Sequence, residues 1–399
     1  MTLVSRASAY PSPLWLLALI TLNGTLAMHI FVPALPAVAH AFHTSAAAAQ
    51  MTLSVYVVGL SLGQLTYGPI SDHFGRRPVL MFGMALYSAA SLAALFAPTI
   101  GLLVAARLLQ ALGGGSGLVL GRAIVRDSAA GETAARRLSL MNLMTMAGPG
   151  LAPMIGAAMV GTTGWRSIFA LISLLGLAGL VLVWRLLPET SGERDSVANV
   201  FGNYARLLKS PAFVGYSIGG GCATTSFYAF IAAAPFILVD QLHRPPSEIG
   251  VYLAINILGI WLGSLTASRI IGRAPMSRLM VIGNLISCVS AAIFLGLAAS
   301  GGLSAALAVA AMLALCFGAG IASPTALAQA LSINPGIAGS ASGLYGCVQM
   351  IVGAICTACA GIGSNPSLTV GVILLAAALV AQLCFWLASG GADRASAPA

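Results

Sequence analysis

The sequence predicts an all-α membrane protein with twelve transmembrane helices, arranged as two six-helix halves around a central cavity. Three observations support this prediction: the composition, the number of long apolar segments, and a charged stretch near the middle of the chain. Hydrophobic residues make up 59% of the 399 residues, and charged residues make up only 7%. Because soluble globular domains average about 25% charged residues, we expect a chain embedded in the lipid bilayer.

Twelve apolar segments are long enough to cross a bilayer, which takes roughly 20 residues per helix. The predicted spans are 13–34, 47–70, 79–97, 100–121, 138–160, 166–187, 212–238, 247–270, 279–299, 303–327, 337–362 and 367–389. The first apolar run is longer than the hydrophobic region of a signal peptide, so we expect an uncleaved first span. Hardly any chain is left over for a soluble domain.

A charged and polar stretch at 188–210 divides the chain. We expect an amino-terminal six-helix half at 1–187, a cytoplasmic linker at 188–210 that tolerates change, and a carboxy-terminal six-helix half at 211–399. An internal repeat supports this division, because GQLT at 63–66 near the end of the second span is echoed by GSLT at 263–266 near the end of the eighth. Repeats of this kind build many secondary carriers.

The basic residues predict the orientation of the spans. With the amino terminus inside, fifteen of the eighteen cationic residues fall on the cytoplasmic side. These residues are Arg6, Arg76, Arg77, Arg122, Arg126, Arg136, Arg137, Arg185, Arg194, Arg206, Lys209, Arg269, Arg273, Arg278 and Arg394. The bias favours an even number of spans with both termini in the cytoplasm. Because the cations are scattered and no aromatic residues accompany them, the net charge of +9 does not indicate nucleic-acid binding.

The seven cysteines all fall within apolar stretches. Cys356 and Cys359 form a C-x-x-C, but no second pair and no nearby histidine accompany them. We therefore expect free thiols that act as small hydrophobic side chains, and neither a metal site nor a cofactor.

A glycine-rich, charged stretch lies between the second and third spans, with the sequence GQLTYGPISDHFGRRPVL at 63–80. On charge alone it is a tight cytoplasmic turn that carries Asp72 and the two arginines. Its order, G-x-L-x-x-G-P-x-x-D-x-x-G-R-R-P, resembles motif A of the major facilitator superfamily, which implies a gating element. The expected gating residues are Gly63, Gly68, Asp72, Gly75, Arg76 and Arg77, with Arg126 and Asp127 at the end of the fourth span completing a charge network.

The fourth span contains Arg107, three residues before Gln110 on the same helical face. An arginine inside an apolar span is costly and normally faces protein or water. A second interpretation is that Arg107 lies close enough to the periplasmic end of its span for the side chain to reach the membrane–water interface. The pattern R-x-x-Q-x-x-G-G-G resembles motif B of the drug/proton antiporters of this superfamily, which favours a side chain that faces the cavity.

The fifth span carries AGPGLAPMIGAAM at 147–159, where prolines and glycines interrupt a transmembrane helix. This segment resembles motif C, typical of exporters, although P-M-I-G-A replaces the usual G-P-x-x-G-G ending. The residues concerned are Gly148, Pro149, Gly150, Pro153 and Gly156. The alternative is a small-residue packing groove with no direct role in transport.

The first span ends in HIFVPALPAVAHAF at 29–42, which resembles the opening of the Bcr/CflA group of drug efflux transporters. Many members have an aspartate where this chain has His29. All nine carboxylates lie at predicted helix ends, in loops or in tails, so a buried carboxylate is not available for proton coupling. These are Asp72, Asp127, Glu132, Glu189, Glu193, Asp195, Asp240, Glu248 and Asp393. Histidine is the side chain whose ordinary pKa lies closest to neutral pH, so His29 can serve as the proton carrier, or it is a hydrogen-bonded wall residue.

The remaining polar residues of the spans predict a cavity suited to an apolar molecule with a few hydrogen-bonding groups. The expected substrate or proton pathway comprises His29, Tyr56, Arg107, Gln110, Asn142, Tyr228, Asn256, Gln329 and Gln349, with Asn23 and Asn284 as further polar residues. We expect His29 to face Arg107 across the cavity.

These resemblances imply a proton-driven exporter of drug-like small molecules, which works as a monomer in a bacterial inner membrane. The alternative is an uncoupled facilitator or importer of a small neutral or anionic metabolite. A membrane enzyme is not supported, because the spans lack H-E-x-x-H, paired carboxylates, a Ser/His pair and a nucleotide loop.

Overall fold

The computed structural model describes residues 13–128, 131–189, 197–271, 273–334 and 337–395. These residues form fifteen α-helices, and no β-strand occurs among them. The helices are α1 (Leu14–His29), α2 (Leu35–Ala41), α3 (Ala46–Phe74), α4 (Arg76–Leu95), α5 (Ile100–Ser128), α6 (Gly131–Thr162), α7 (Arg166–Leu186), α8 (Val197–Leu208), α9 (Pro211–Thr225), α10 (Phe227–Pro235), α11 (Ile249–Ile270), α12 (Met276–Ala299), α13 (Ala305–Ser332), α14 (Ala338–Ala360) and α15 (Pro366–Ala395). Two 3-10 turns at Val32–Ala34 and Pro246–Glu248 and a π-helical turn at Phe236–Gln241 complete the described elements.

Eleven helical segments in the described ranges are long and apolar enough to cross a membrane. The remaining span is α6, a continuous helix of 32 residues whose apolar part is Gly150–Thr162. The first span consists of α1, a 3-10 turn and α2, and the seventh consists of α9, α10 and the π-helical turn. The predicted all-helical fold with twelve transmembrane helices is therefore confirmed.

The internal repeat of the sequence is visible in the helix packing. Gly63 of α3 packs against Gly115 of α5, where a Cβ on Gly63 would lie 3.2 Å from the Gly115 Cα. At the equivalent place in the other half, Gly263 of α11 packs against Gly320 of α13, at 3.0 Å from its Cα. The second and fourth spans thus contact each other as the eighth and tenth do, because glycine allows the backbones to approach closely.

The first span of each half is interrupted. In the first span α1 ends at His29, and Pro33 lies in the 3-10 turn that follows. Proline has no N–H to donate to the preceding turn, which explains the break. The seventh span is interrupted between Thr225 and Phe227, without a proline at the break. Interrupted helices at corresponding positions of two repeats are typical of the substrate site in carriers.

The predicted turn between the second and third spans is shorter than expected. Only Gly75 separates α3 from α4, so Asp72 belongs to the last turn of α3, and Arg76 and Arg77 begin α4. Gly75 has φ 98°, a backbone conformation that residues with a Cβ rarely adopt. The predicted bounds of the tight turn are therefore wrong, because the charged side chains lie on two helix ends and not on the connection between them.

The linker also differs from the prediction. Residues 190–196 lie outside the described residues, but α8 follows them. Tyr204 and Leu207 lie three residues apart on one face of α8, and both are buried. An amphipathic helix was not expected from the polar composition of 188–210, and its buried face contradicts the prediction that this whole stretch tolerates change.

The seven cysteines are free thiols, as predicted. Cys356 and Cys359 lie one turn apart on α14 without a disulfide between them. Five of the seven are buried, so they act as small side chains in helix contacts.

Candidate functional site

The two interrupted spans meet at His29. Its ring lies 6.4 Å from the ring of Tyr228 on α10, centroid to centroid, in an edge-to-face arrangement with an interplanar angle of 77°. Nδ1 of His29 lies 2.8 Å from the carbonyl oxygen of Thr25. Because a carbonyl can only accept, Nδ1 donates, and Nε2 of the neutral imidazole is an acceptor. A nitrogen that can accept a proton therefore lies where the two halves touch.

Gln349 of α14 lies beside the break in the seventh span. Its Nε2 donates to Thr224 Oγ1 at 2.8 Å, and Thr225 Oγ1 donates to the Gln349 carbonyl at 2.8 Å. Tyr228 packs next to it, against Gly353 one turn along α14. We call Thr25, His29, Thr224, Tyr228 and Gln349 the central polar cluster. Sequence reasoning missed its two threonines, and the only signal for them was their position just before the two helix breaks.

Arg107 lies in the interior of the amino-terminal half, in a box of aromatic rings. Its Cζ is 4.0 Å from the ring centroid of Tyr56, 4.8 Å from that of Phe31 and 6.0 Å from that of Phe169. The residue is completely buried. Arginine over an aromatic face gains a favourable electrostatic contact that strengthens when water is excluded. The three rings, which we call the aromatic box, thus surround the Arg107 guanidinium.

The hydrogen bonds of Arg107 also stay within this half. Nη1 donates to the carbonyl of Ala27 at 3.1 Å and to Gln110 Oε1 at 2.7 Å, and Gln110 Nε2 donates to Ser91 Oγ at 2.7 Å. Nε and Nη2 have no hydrogen-bond partner among the described residues. The Arg107 side chain therefore does not extend to the membrane–water interface. His29 and Arg107 have separate partners, so the described contacts do not reproduce the expected pairing of the two.

Several other predicted pathway residues lie away from the central polar cluster. Asn284 donates to the Ala378 carbonyl at 2.9 Å, between α12 and α15. Gln329 lies in the last turn of α13. Asn256 is buried within α11, and its amide has no partner among the described residues. The side chain of Asn142 lies outside the described residues.

A charge network joins the ends of α3, α4 and α5. Arg76 Nη1 lies 2.5 Å from Asp72 Oδ1, and Arg76 Nε lies 2.9 Å from Asp127 Oδ2. Arg76 also donates to Ser71 Oγ at 2.5 Å. The structure thus brings together three of the predicted gating residues, all within the amino-terminal half. The side chain of Arg126 lies outside the described residues, and a Cβ on Gly68 would meet open space.

Glu189 caps the amino-terminal end of α4. Its carboxylate accepts from the backbone N–H of Arg76 at 2.9 Å and from that of Arg77 at 3.2 Å. A carboxylate at a helix amino terminus satisfies unpaired N–H groups and interacts favourably with the helix dipole. Sequence reasoning missed this contact, because Glu189 lies more than 100 residues away along the chain. The start of the linker is therefore fixed to the charge network.

The proline and glycine motif of α6 lies at helix contacts. A Cβ on Gly148 would overlap Leu22 of α1, and one on Gly156 would overlap the backbone oxygen of Ile30. Pro153 faces Gly250 of α11, the eighth span. Gly150 has free space beside it, and the side chain of Pro149 lies outside the described residues. These contacts fit the packing interpretation of the motif and place α6 between the first and eighth spans.

Comparison with known proteins agrees with this architecture. A family model described as the Major Facilitator Superfamily matches residues 17–357. The chain is 29% identical over 378 residues to an uncharacterized MFS-type transporter, YdgK, of Bacillus subtilis, covering 93% of this chain and 94% of the relative. It is 30% identical over 276 residues to the multidrug transporter MdfA of Yersinia pestis, covering 66% of this chain and 67% of the relative.

The fold is also similar to a solved D-xylose-proton symporter. The TM-score is 0.74 with 16% sequence identity, and the match covers 92% of this chain and 96% of the symporter. At this identity the likeness concerns the fold. Because the family model extends over most of the sequence, the chain belongs to the Major Facilitator Superfamily, as a multi-pass membrane transporter of small molecules and not an enzyme.

Proposed function

We propose that this transporter is a proton-coupled exporter of drug-like small molecules that works by alternating access. The observation that carries the proposal is the meeting of the two interrupted spans at His29, next to hydrogen-bonding groups from both halves. A carrier needs such a site near the middle of the membrane, where it can face either side. A drug-like substrate is supported by the name of the related multidrug transporter MdfA. Export rather than import is supported by the resemblance of residues 147–159 to motif C.

His29 is the proposed proton carrier. The carboxylates whose side chains are described lie at helix ends or beyond them, at Asp72, Asp127, Glu189, Asp240 and Glu248. Nδ1 of His29 is occupied by the Thr25 carbonyl, so a coupled proton would bind and leave at Nε2. The protonated ring would then carry a charge at the contact between the halves, which favours a state in which that contact is exposed to water.

The proposed substrate is an apolar molecule with a few hydrogen-bonding groups and no positive charge. The central polar cluster offers hydroxyl, amide and imidazole groups but no carboxylate to pair with a cation. Arg107 adds a fixed positive charge in the same half as His29. Like charges repel strongly where water is excluded, so neutral or anionic compounds would be preferred over cationic ones.

The flux experiment compares His29→Gln and His29→Asn with the unchanged protein in proteoliposomes, with and without a pH gradient. Gln places an amide near Nε2 but cannot titrate, and Asn keeps a donor near Nδ1 for the Thr25 carbonyl. In both variants, substrate accumulation driven by the pH gradient is expected to fall at least tenfold, while downhill exchange is kept. If either variant retains gradient-driven accumulation, His29 is not the carrier. If flux through the unchanged protein does not depend on the pH gradient, the result supports the uncoupled facilitator instead.

We further propose that the end of the molecule that carries Asp72 and the linker faces the cytoplasm of a bacterial inner membrane, and that the protein acts as a monomer. In a cysteine-free background, a cysteine introduced at Ser196 is expected to react with an impermeant maleimide only after the cells are opened. Reaction from the periplasm in intact cells would reverse this orientation. The positive-inside bias of the loops supports the cytoplasmic assignment.

A further inference from the structure

Helix α8 lies across the contact between the two halves. Tyr204 is 8% exposed, and its hydroxyl donates to the backbone carbonyl of Leu65 on α3 at 3.3 Å. The same hydroxyl lies 3.7 Å from the place that a Cβ on Gly343 of α14 would occupy. Helix α3 is the second span and α14 the eleventh, so one side chain of the linker touches both halves.

A proline leaves the acceptor of this bond, the Leu65 carbonyl, without its usual helical donor. In an α-helix the carbonyl of residue i accepts from the N–H of residue i+4. The residue four positions after Leu65 is Pro69, which lies inside α3 and has no N–H. The Leu65 carbonyl therefore lacks its usual helical donor, and Tyr204 supplies one from the linker. Burial raises the pKa of Tyr204 to about 12, so its hydroxyl keeps the proton that it donates.

Next to this bond, helices α3 and α14 pack against each other. Ser61 Oγ donates to the Cys347 carbonyl at 3.1 Å and lies 3.2 Å from the Cys347 thiol. Gly346 packs against the side chain of Gln64. At 1.5 Å of rise per residue, positions 61, 64 and 65 of α3 lie within about 6 Å along the helix. Tyr204 thus bonds at the end of a continuous contact, which we call the α3–α14 seam.

We propose that Tyr204 is a latch that holds the linker end of the α3–α14 seam closed, and that Pro69 provides its docking site. The side chain can touch both helices only while their ends lie together, so the latch must release when the site opens toward the linker end. This role concerns how the transporter alternates between states, and it does not depend on which substrate or ion is carried. It assigns a positioning function to a linker residue and to a proline within a membrane helix.

Cys347 offers a built-in reporter, because its thiol is buried in the seam and becomes reachable when the seam opens. In full-length protein with the other six cysteines changed to alanine, Tyr204→Phe removes only the hydroxyl. Pro69→Ala acts on the acceptor, since an alanine at this position would supply an N–H that competes with Tyr204 for the Leu65 carbonyl. Each variant is expected to speed alkylation of Cys347 by N-ethylmaleimide by about twofold to tenfold, the range for one lost hydrogen bond.

The control is Tyr252→Phe, which also removes a tyrosine hydroxyl that makes a hydrogen bond, in this case to Glu248 at the opposite end of the molecule. It is expected to leave Cys347 alkylation unchanged. The double variant of Tyr204→Phe with Pro69→Ala should react no faster than the faster single variant, because both changes act on the same bond. Alkylation of a well-folded Tyr204→Phe variant at the unchanged rate, or full additivity in the double variant, would overturn the latch.

Discussion

Asp72→Asn is expected to lower transport at least tenfold while the protein still reaches the membrane. Asparagine has the size of aspartate but no charge, so Arg76 would keep one carboxylate partner, Asp127, in place of two. Hydrogen bonds to charged groups contribute about 1.5–3 kcal/mol each. A shift of about 2 kcal/mol between the two states of a carrier changes their ratio roughly thirtyfold.

The effect is expected to pass through the end of α3. Asp72 lies less than one turn after Pro69, and its ion pair fixes this end of α3 against α4 and α5. The same end carries the Leu65 carbonyl that bonds Tyr204, so loosening it would weaken closure of the seam. The measurement is initial flux into proteoliposomes at matched protein density. Asp240→Asn, an exposed carboxylate at the other end, serves as the control, and full flux in Asp72→Asn would exclude a gating role for this ion pair.

The charge network could be predicted because its parts are close in sequence or at recognisable helix ends. Asp72 and Arg76 are four residues apart, and the glycine between α3 and α4 signalled the reversal of the chain. Glu189 could not be predicted in the same way, since only the folded chain brings the start of the linker to α4. Local patterns thus indicate the charged side chains, and the tertiary fold decides which backbone groups they cap.

For the interior polar residues too, the sequence indicated the side chains but not their partners. The place of Arg107 in an apolar segment favoured a buried side chain without excluding one that reaches the membrane surface, and helix packing decides its direction. The three rings that surround it come from the first, second and sixth spans, and they look like ordinary core residues in the sequence. Tyr204 likewise gave no signal in a polar linker, because its partner exists only where Pro69 interrupts the hydrogen bonding of another helix.

Arg107→Lys is expected to reduce transport at least tenfold although it preserves the positive charge. The planar guanidinium lies between Tyr56 and Phe31 while Nη1 bridges the Ala27 carbonyl and Gln110. A lysine ammonium is compact and strongly hydrated, and it cannot fill the aromatic box with the same contacts. The measurement is flux of one neutral and one cationic compound in proteoliposomes, together with the amount of folded protein.

The matched control is Arg166→Lys, where an exposed arginine lies 4.4 Å from the Trp165 ring outside the interior of the half. Its stacking is exposed to water, so the change should cost little transport. If Arg107 acted only through its charge, the Arg107→Lys variant would transport as the unchanged protein does and would discriminate against the cationic compound equally well. Loss of flux for both compounds in Arg107→Lys alone would instead assign Arg107 to fixing α1 against α3 and α5, since the contacts it makes join these three helices beside His29.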